Sequence, residues 1–510
     1  MNKKMQKNNK KTLIADDNII NVEKDSAVVT SKNDDKKVKN KTQKQLKKER
    51  KKQIRLKVKQ IIKENKQKEQ ALAKEREQTI RDLQKQGKIA TWFKLDNAGS
   101  IYPSAIQKNW NFVYRISATF KEKINVEQLQ KALDDIIPRF PTFNVKLCHG
   151  FFWNYYEPNF SRLVVERETD FPCQPFDLND REGFLIRILY SDHKIMLEAF
   201  HAIADGRGAL FFFNSLVARY LERLGVVIST YVGCANYLDV PNDEESEDAF
   251  FRYVNDQKTK RPKERPAYKI KGSVLPDGVV NTLEAHMSVN NIKEVARAHN
   301  ASISEYLSSA VAYAIYQEAK NAKKPVRVSI PCDLRPRFES KTLRNFSSYK
   351  NVEVVGEDLS FEDILSQFKT QFSEIDNDFF QSNINANVKI QKNFFIKILP
   401  LFIKNIALKL SFNYLGENCQ TLAFSNIGRV NVPKEFEDYI DYYSVNLGRS
   451  LHNQKSIGVI SFGDKMVMSI SSKIKENNTE KALFKFLADD GIKIKLYSNR
   501  RDLYGTRKEV

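Results

Sequence analysis

The chain has 510 residues, a formal net charge of +21 and five cysteines. This length exceeds what one hydrophobic core supports and indicates two subdomains with an appendage. The cysteines are scattered, odd in number and without C-x-x-C spacing, which argues for a reducing compartment and against a disulfide framework or a zinc site. We find no apolar run typical of a signal peptide and no uncharged apolar stretch of roughly 18 residues, so we expect a cytoplasmic protein.

The positive charge is concentrated in the first 90 residues, which hold 28 Lys and Arg against 12 Asp and Glu. Residues 1–40 contain little to bury and are predicted to be a disordered basic tail. Residues 41–88 are rich in Lys, Gln and Glu without proline, which predicts a long charged helix of about 70 Å. An anionic membrane surface is one candidate partner for residues 1–88, and would make the protein peripheral at the membrane. A solvated extension is the alternative, and nucleic acid is not expected because no aromatic residues are interleaved to stack on bases.

Residues 92–238 are predicted to form the first subdomain. The segment 126–137 has the spacing of an amphipathic helix, and 185–190 is predicted to pair as a hairpin with the buried strand 195–200. That strand leads directly into the most informative stretch of the chain.

The apolar strand ends at His201, and Asp205, Gly206 and Gly208 follow within seven residues. A histidine at the exit of a buried strand sits on a rigid scaffold, beside whatever cavity the turn borders. We expect the glycines to adopt backbone angles closed to other residues, which would make the turn tight, and 209–221 to continue as an apolar helix. The alternative is a core histidine bonded to a backbone carbonyl, with Asp205 capping the helix.

This H-x-x-x-D-G segment resembles the motif of the CoA-dependent acyltransferase superfamily. That group includes chloramphenicol acetyltransferase, plant-type BAHD acyltransferases, alcohol acetyltransferases and nonribosomal-peptide condensation domains, and the chain looks most like bacterial alcohol acetyltransferase-like proteins. The resemblance covers residues 92–510. It implies an α/β (α+β) fold of two chloramphenicol-acetyltransferase-like subdomains, each a mixed sheet flanked by helices, with the active-site channel between them. It also implies a monomer.

A charged linker is predicted at 239–270, and residues 271–510 are predicted to form the second subdomain. There Arg335 lies in a D-L-R-x-R stretch, where the superfamily places a structural arginine paired with the motif aspartate. The resemblance therefore implies that Arg335, or in second place Arg337, pairs with Asp205 and holds the turn in shape through two hydrogen bonds. A surface arginine in a loop is the alternative.

Two further segments of the second half bear on substrate binding. Residues 421–428 resemble the S-N-x-G segment that crosses between the halves in the superfamily, which makes Ser425 and Asn426 candidates for hydrogen bonds to the acyl donor or acceptor. Residues 389–412 are apolar and basic but interrupted by Pro400. We expect two packed helices near a hydrophobic substrate channel there, or a helix on a membrane surface, and not a membrane span.

His201 is the acid–base group with the most favourable context in the sequence. A neutral imidazole can take the proton of an acceptor hydroxyl or amine as it attacks a thioester. No serine or cysteine stands in a nucleophile-elbow context and no metal or nucleotide motif occurs, which favours direct transfer with no metal and no bound cofactor.

The resemblance implies an acyltransferase that moves an acyl group from acetyl-CoA or a longer acyl-CoA, as co-substrate, to an alcohol, an amine or a lipid-like hydroxyl. His201 would be the general base, Asp205 would orient the turn, and Gly206 would allow a close approach. Two alternatives stay open. One is a condensation-type enzyme that uses a carrier-protein thioester, and the other is a non-catalytic scaffold on the same fold, targeted by its basic tail.

Overall fold

The computed structural model describes residues 92–499, except 107–111, 179, 181–182, 258, 260–263 and 321, together with isolated positions between Glu49 and Gln78. Those isolated positions are helical, and their side chains are exposed. The predicted tail at 1–40, and the remainder of the helix predicted at 41–88, lie outside the described residues.

The strands, in chain order, are β1 (Phe93–Lys94), β2 (Val113–Phe120), β3 (Val145–His149), β4 (Asn154–Pro158), β5 (Glu166–Arg167), β6 (Ile186–Tyr190), β7 (Lys194–Phe200), β8 (Asn281–Ser288), β9 (Val326–Asp333), β10 (Ser347–Val354), β11 (Leu422–Arg429), β12 (Ile440–Leu447), β13 (Lys455–Phe462), β14 (Lys465–Ser472) and β15 (Lys495–Ser498).

The helices are α1 (Tyr102–Ala105), α2 (Val126–Ile136), α3 (Gly206–Arg223), α4 (Asp243–Ser246), α5 (Ala249–Tyr253), α6 (Val289–Ala298), α7 (Ile303–Ala319), α8 (Phe361–Ser373), α9 (Asn377–Lys392), α10 (Phe394–Ile398), α11 (Leu401–Ser411), α12 (Phe436–Tyr439) and α13 (Asn478–Asp489).

The N-terminal half is built on a five-stranded sheet with the order β12-β2-β7-β6-β5. Its neighbours are antiparallel except β5 and β6, and the predicted hairpin is present as β6 and β7. Apolar residues of α2 and α3 pack against this sheet in one core. A smaller antiparallel sheet with the order β1-β4-β3 is formed by other strands of the same half.

The C-terminal half is built on a seven-stranded mixed sheet with the order β10-β9-β11-β13-β14-β8-β15. Strand β11 lies parallel to both β9 and β13, and the other pairs are antiparallel. Helices α7, α8 and α13 contribute to its separate core. Two halves, each with a sheet and flanking helices, confirm the predicted mixed α/β fold.

One strand of the C-terminal half completes the N-terminal sheet. The crossing was predicted for 421–428, but that segment is β11, which stays between two parallel neighbours in the seven-stranded sheet. The strand that crosses is β12, which pairs with β2 from Ile440↔Phe120 to Leu447↔Tyr114. The chain therefore passes from the C-terminal sheet to the N-terminal sheet between β11 and β12.

The segment 239–270, predicted to be a charged linker, contains the two short helices α4 and α5. The buried guanidinium of Arg139 donates two hydrogen bonds of 2.7 Å to the carboxylate of Glu245, so each charge is compensated by the other. Phe250 is buried in a third cluster, where its ring meets that of Phe346 at 5.2 Å. The part of this segment around α4 and α5 is packed structure, because Glu245 is paired with a buried arginine and Phe250 is covered.

Candidate active site

His201 follows directly on β7, where the strand gives way to α3. The strand is buried beyond Lys194, and the His201 N–H donates to the carbonyl of Phe112 at 2.8 Å. The ring of Tyr102 stacks on the imidazole with a centroid distance of 4.8 Å, and Tyr114 meets it edge-on at 5.0 Å. The strand end and the two tyrosines together fix the position of the ring.

Asn345 fixes which imidazole nitrogen carries the proton. Its amide nitrogen lies 3.1 Å from a carboxylate oxygen of Asp96 and 3.2 Å from the carbonyl oxygen of Ala202. Because a backbone carbonyl can only accept, this nitrogen is the donor, and the amide oxygen faces the histidine. That oxygen lies 3.2 Å from Nδ1 of His201, so Nδ1–H donates and Nε2 keeps its lone pair.

Burial lowers the pKa of His201 from its ordinary value of 6.5. Hydrogen bonds with its own backbone and with Asn345 act in the opposite direction, as do the negative charges of Asp205 and Asp96, and they do not offset the loss of hydration. The imidazole is therefore neutral at neutral pH and can accept a proton at Nε2.

Asp205 points into the protein. Its carboxylate binds the guanidinium of Arg335 through both oxygens, with Nη1–Oδ2 at 3.0 Å and Nη2–Oδ1 at 3.1 Å. The same carboxylate accepts the N–H of Gly208 at 3.0 Å, which caps α3, and the N–H of Phe346 at 2.8 Å. Asp205 thus forms the arginine pair that the resemblance implies, and it also caps α3.

Arg335 ties the histidine turn to the loop 342–346. Its Nε donates to the carbonyl of Thr342 at 2.9 Å, within the loop that carries the amide held against the imidazole. The other candidate partner, Arg337, is exposed and donates to the side-chain oxygen of Asn377 at 3.2 Å. Of the two arginines, Arg335 is therefore the one that positions the turn.

Gly208 is required for its small size, and neither glycine of the turn adopts the unusual backbone angles that we expected. Neither Gly206 nor Gly208 has a positive φ. A Cβ atom on Gly208 would lie 1.8 Å from the carbonyl oxygen of Leu343, whereas one on Gly206 would meet only the side chain of Ile427, at 3.4 Å. Gly208, which the sequence did not single out as a site residue, is the position where no side chain fits.

Ser425 and Asn426 lie half-buried in β11. The amide nitrogen of Asn426 lies 3.0 Å from the hydroxyl oxygen of Ser304, at the start of α7. Ile427 is the residue of this strand whose side chain reaches the histidine turn. In the described residues no hydrogen bond joins either candidate to His201, so their role in substrate binding stays a prediction.

Sequence reasoning missed four residues around the imidazole, namely Tyr102, Tyr114, Asp96 and Asn345. Asp96 is fully buried, and burial raises the pKa of its carboxyl group while the charge of Arg344 opposes the rise. The available signal was weak. Asp96 and Asn345 are polar residues beside apolar ones, and each is more than a hundred positions from His201 in the chain.

The described part of the chain contains no group of three or more His, Cys, Asp or Glu that could hold a metal ion. His149 and His193 are both exposed, and Nδ1 of His149 lies 2.7 Å from Oδ1 of Asn154. Among the helices described, none is long and apolar enough to cross a membrane.

Solved structures with the same fold include acyltransferases and condensation domains, whereas the sequence matches no family model and no curated protein. The first condensation domain of the calcium-dependent antibiotic synthetase, in complex with a substrate analogue, has a TM-score of 0.52 and 11% identity, with 80% of this chain and 99% of that domain covered. F. sporotrichioides TRI101, complexed with coenzyme A and T-2, has a TM-score of 0.50 and 12% identity, with coverage of 80% and 100%.

Polyketide synthase associated protein 5 from Mycobacterium tuberculosis also has a TM-score of 0.50 and 12% identity, with 77% of this chain and 96% of that chain covered. Identities this low establish the fold and leave the activity open. The protein has the two-lobed fold shared by CoA-dependent acyltransferases and condensation domains, which confirms the predicted resemblance at the level of structure.

Proposed function

We propose that the protein is an acyltransferase that moves an acyl group from acyl-CoA to the hydroxyl or amine of a small or lipid-like acceptor. The observation that carries the proposal is the state of the His201 imidazole. The ring is neutral and fixed at the end of a buried strand, and its single N–H is kept on Nδ1 by the hydrogen bond to Asn345. A general base needs a lone pair held in a constant direction, and Nε2 meets this requirement.

In the proposed reaction the acceptor O–H or N–H gives its proton to Nε2 of His201 as the oxygen or nitrogen attacks the thioester carbonyl carbon. The new C–O or C–N bond forms, and the carbonyl electron pair moves onto oxygen. When this pair re-forms the carbonyl, the C–S bond breaks, and the imidazolium returns the proton to the departing thiolate. The transfer needs neither an acyl-enzyme nor an oxidant, and Asp205 takes no proton because Arg335 holds it away.

A carrier-protein thioester is the second candidate donor. The likeness to a condensation domain favours it, and the likeness to TRI101, whose structure contains coenzyme A, favours acyl-CoA. Both donors present the same thioester carbon to the same base, so His201 has the same role in either case. A non-catalytic scaffold is less consistent with a neutral histidine held by a dedicated amide.

The proposal is tested by release of free thiol from acetyl-CoA and medium-chain acyl-CoAs with a panel of alcohols and amines. We expect release that requires an acceptor and falls by about 10²-fold or more in His201→Ala. His193→Ala, at an exposed histidine, is the matched control and should retain full activity. Normal turnover in His201→Ala would refute the mechanism. No release from any pair, with no acyl-CoA binding, would move the assignment to a carrier-protein donor or to a non-catalytic role.

A further inference from the structure

An unusually apolar surface is formed by α10, α11 and the turn 150–153 between β3 and β4, which we call the aromatic–lysine face. No residue of α10 or α11 is buried. Phe395 is 74% exposed, Phe402 65% and Ile406 60%, and Phe151 of the turn is 71% exposed. Exposed apolar residues in a continuous group mark an interaction surface, because isolated ones are common but clusters are not.

The turn and α11 form one surface because they are bonded to each other. The N–H of Leu401 donates to the carbonyl of Phe151 at 2.8 Å, and Nζ of Lys404 donates to the carbonyl of Phe152 at 2.9 Å. The same ammonium group lies 5.0 Å from the ring centre of Trp153. The exposed rings of the turn are therefore held beside the exposed residues of α11.

The charge on this part of the chain has a single sign. Between Asp378 and Glu417 there are five lysines and no acidic residue. A second copy of the chain would bring two positively charged faces together, which is unfavourable. Nucleic acid would carry the complementary charge, and its bases could stack on the exposed rings, but it offers no apolar layer to cover aliphatic residues such as Ile398 and Ile406, which are 50% and 60% exposed.

A bilayer surface with anionic lipids matches both properties. Aromatic and aliphatic side chains enter the boundary between headgroups and acyl chains, and lysines extend toward the phosphates. Helix α11 has 11 residues and is therefore about 16 Å long, which suits a helix lying in the interface and not one that crosses it. We propose that the aromatic–lysine face binds the headgroup region of an anionic phospholipid bilayer.

A hydrogen bond connects α11 to the helix that covers the candidate active site. The hydroxyl of Ser104 in α1 donates to the side-chain oxygen of Asn405 in α11 at 2.6 Å. Tyr102 of α1 stacks on the imidazole of His201. A bound bilayer would therefore lie beside α11 and α1, which cover His201. A lipid-like acceptor in that bilayer would be close to the base. This consequence rests on the proposed function, whereas the binding itself does not.

The test is co-sedimentation of the full chain with vesicles of equimolar phosphatidylglycerol and phosphatidylcholine, without acyl-CoA, so that its failure is distinct from a failure of the catalytic proposal. The variant carries Phe395→Asp and Phe402→Asp. The control carries Val240→Asp and Val355→Asp, which are 84% and 64% exposed and lie outside the face. Both variants retain residues 1–88 and the same added charge. We expect the partition coefficient to fall by about tenfold or more in the variant only.

Two further measurements keep the proposal falsifiable if that variant is misfolded. Lys397→Gln with Lys409→Gln should reduce the preference for phosphatidylglycerol over pure phosphatidylcholine vesicles. Brominated lipids should quench tryptophan fluorescence in the wild type, and Trp153→Phe should remove most of that quenching. Equal binding by the wild type and the folded double Asp variant would overturn the proposal. So would an absence of quenching, or a wild-type dimer in solution that the double Asp variant abolishes.

Discussion

The proton on Nδ1 of His201 is held by a neutral amide, whose direction is set in turn by Asp96 and Ala202. A carboxylate at the position of Asn345 would also accept this proton, but its charge would stabilise the imidazolium and raise the pKa of the histidine. The neutral amide fixes the tautomer and raises the pKa of His201 less than a carboxylate would. Burial therefore sets the direction of the pKa shift, which is downward. The base therefore stays neutral without losing its orientation.

Replacing Asn345 with alanine tests this arrangement. We expect kcat/KM to fall about tenfold or more because the proton is no longer confined to Nδ1. In the wild type, kcat/KM should fall as the pH drops through an imidazole pKa below 6.5. The hydrogen bond to Asn345 raises that pKa, so its loss should move the acid limb to lower pH. The measurement is the pH profile of kcat/KM, and an unchanged rate and limb would contradict the assignment.

The buried ion pair between Asp205 and Arg335 is expected to stabilise the fold. Their side chains are 6% and 15% exposed, so Arg335→Ala leaves a nearly buried carboxylate without its counter-charge. We expect the free energy of unfolding to fall by about 3 kcal/mol or more. Arg337→Ala, two positions away at an exposed arginine, is the control and should change it little. Denaturant titration of both variants gives the comparison, and equal stabilities would show that the pair does not hold the turn.

The junction of β7 and α3 depends on how closely the helix approaches the loop 342–346. Gly208→Ala would place a methyl group 1.8 Å from the carbonyl oxygen of Leu343, so the helix or the loop must move. We expect a loss of soluble yield and a lower melting temperature for Gly208→Ala. Gly206→Ala, whose methyl would meet only a side chain of Ile427, should melt close to the wild type. Melting of both variants by circular dichroism tests the difference, and the reverse order would contradict it.

Local patterns predicted the strand and the helix on either side of His201. An apolar run followed by polar residues and glycines can be recognised within about twenty positions of the sequence. The family resemblance supplied Arg335. The sequence could not supply Asn345 or Asp96, since nothing in a single chain links a loop amide to a histidine 144 positions away. It also could not separate the two glycines, because the obstacle to a side chain at Gly208 belongs to a distant loop.

The packed segment around α4 and α5 shows the same limit. Its acidic composition favours a solvated linker when read alone. The structure places Glu245 against Arg139 and buries Phe250 beside Phe346, and both partners lie far away in the sequence. A charged residue is exposed only if the fold places no opposite charge beside it. A local sequence pattern does not contain this information, because the partner lies far away in the chain.

The two halves of the protein share a strand and a buried ion pair. Strand β12 of the C-terminal half supplies the edge of the N-terminal sheet beside β2. Without it, β2 would present a row of unpaired backbone groups. The pair of Asp205 with Arg335 adds a second, buried connection. We infer that neither half reaches its native structure alone.

This dependence predicts a single unfolding transition for the body. All three tryptophans, Trp92, Trp110 and Trp153, lie in the N-terminal half of the chain. Trp153 also contacts Lys404 of α11, so tryptophan fluorescence reports on the N-terminal half and on that helix. Phe368 of α8 is fully buried in the core of the other half. Phe368→Ala should cost about 4 kcal/mol. If the halves unfold together, the tryptophan transition in denaturant shifts by the full amount and coincides with the loss of far-ultraviolet circular dichroism. A fluorescence transition that stays in place, while the dichroism splits into two steps, would mean that the shared strand does not couple the halves.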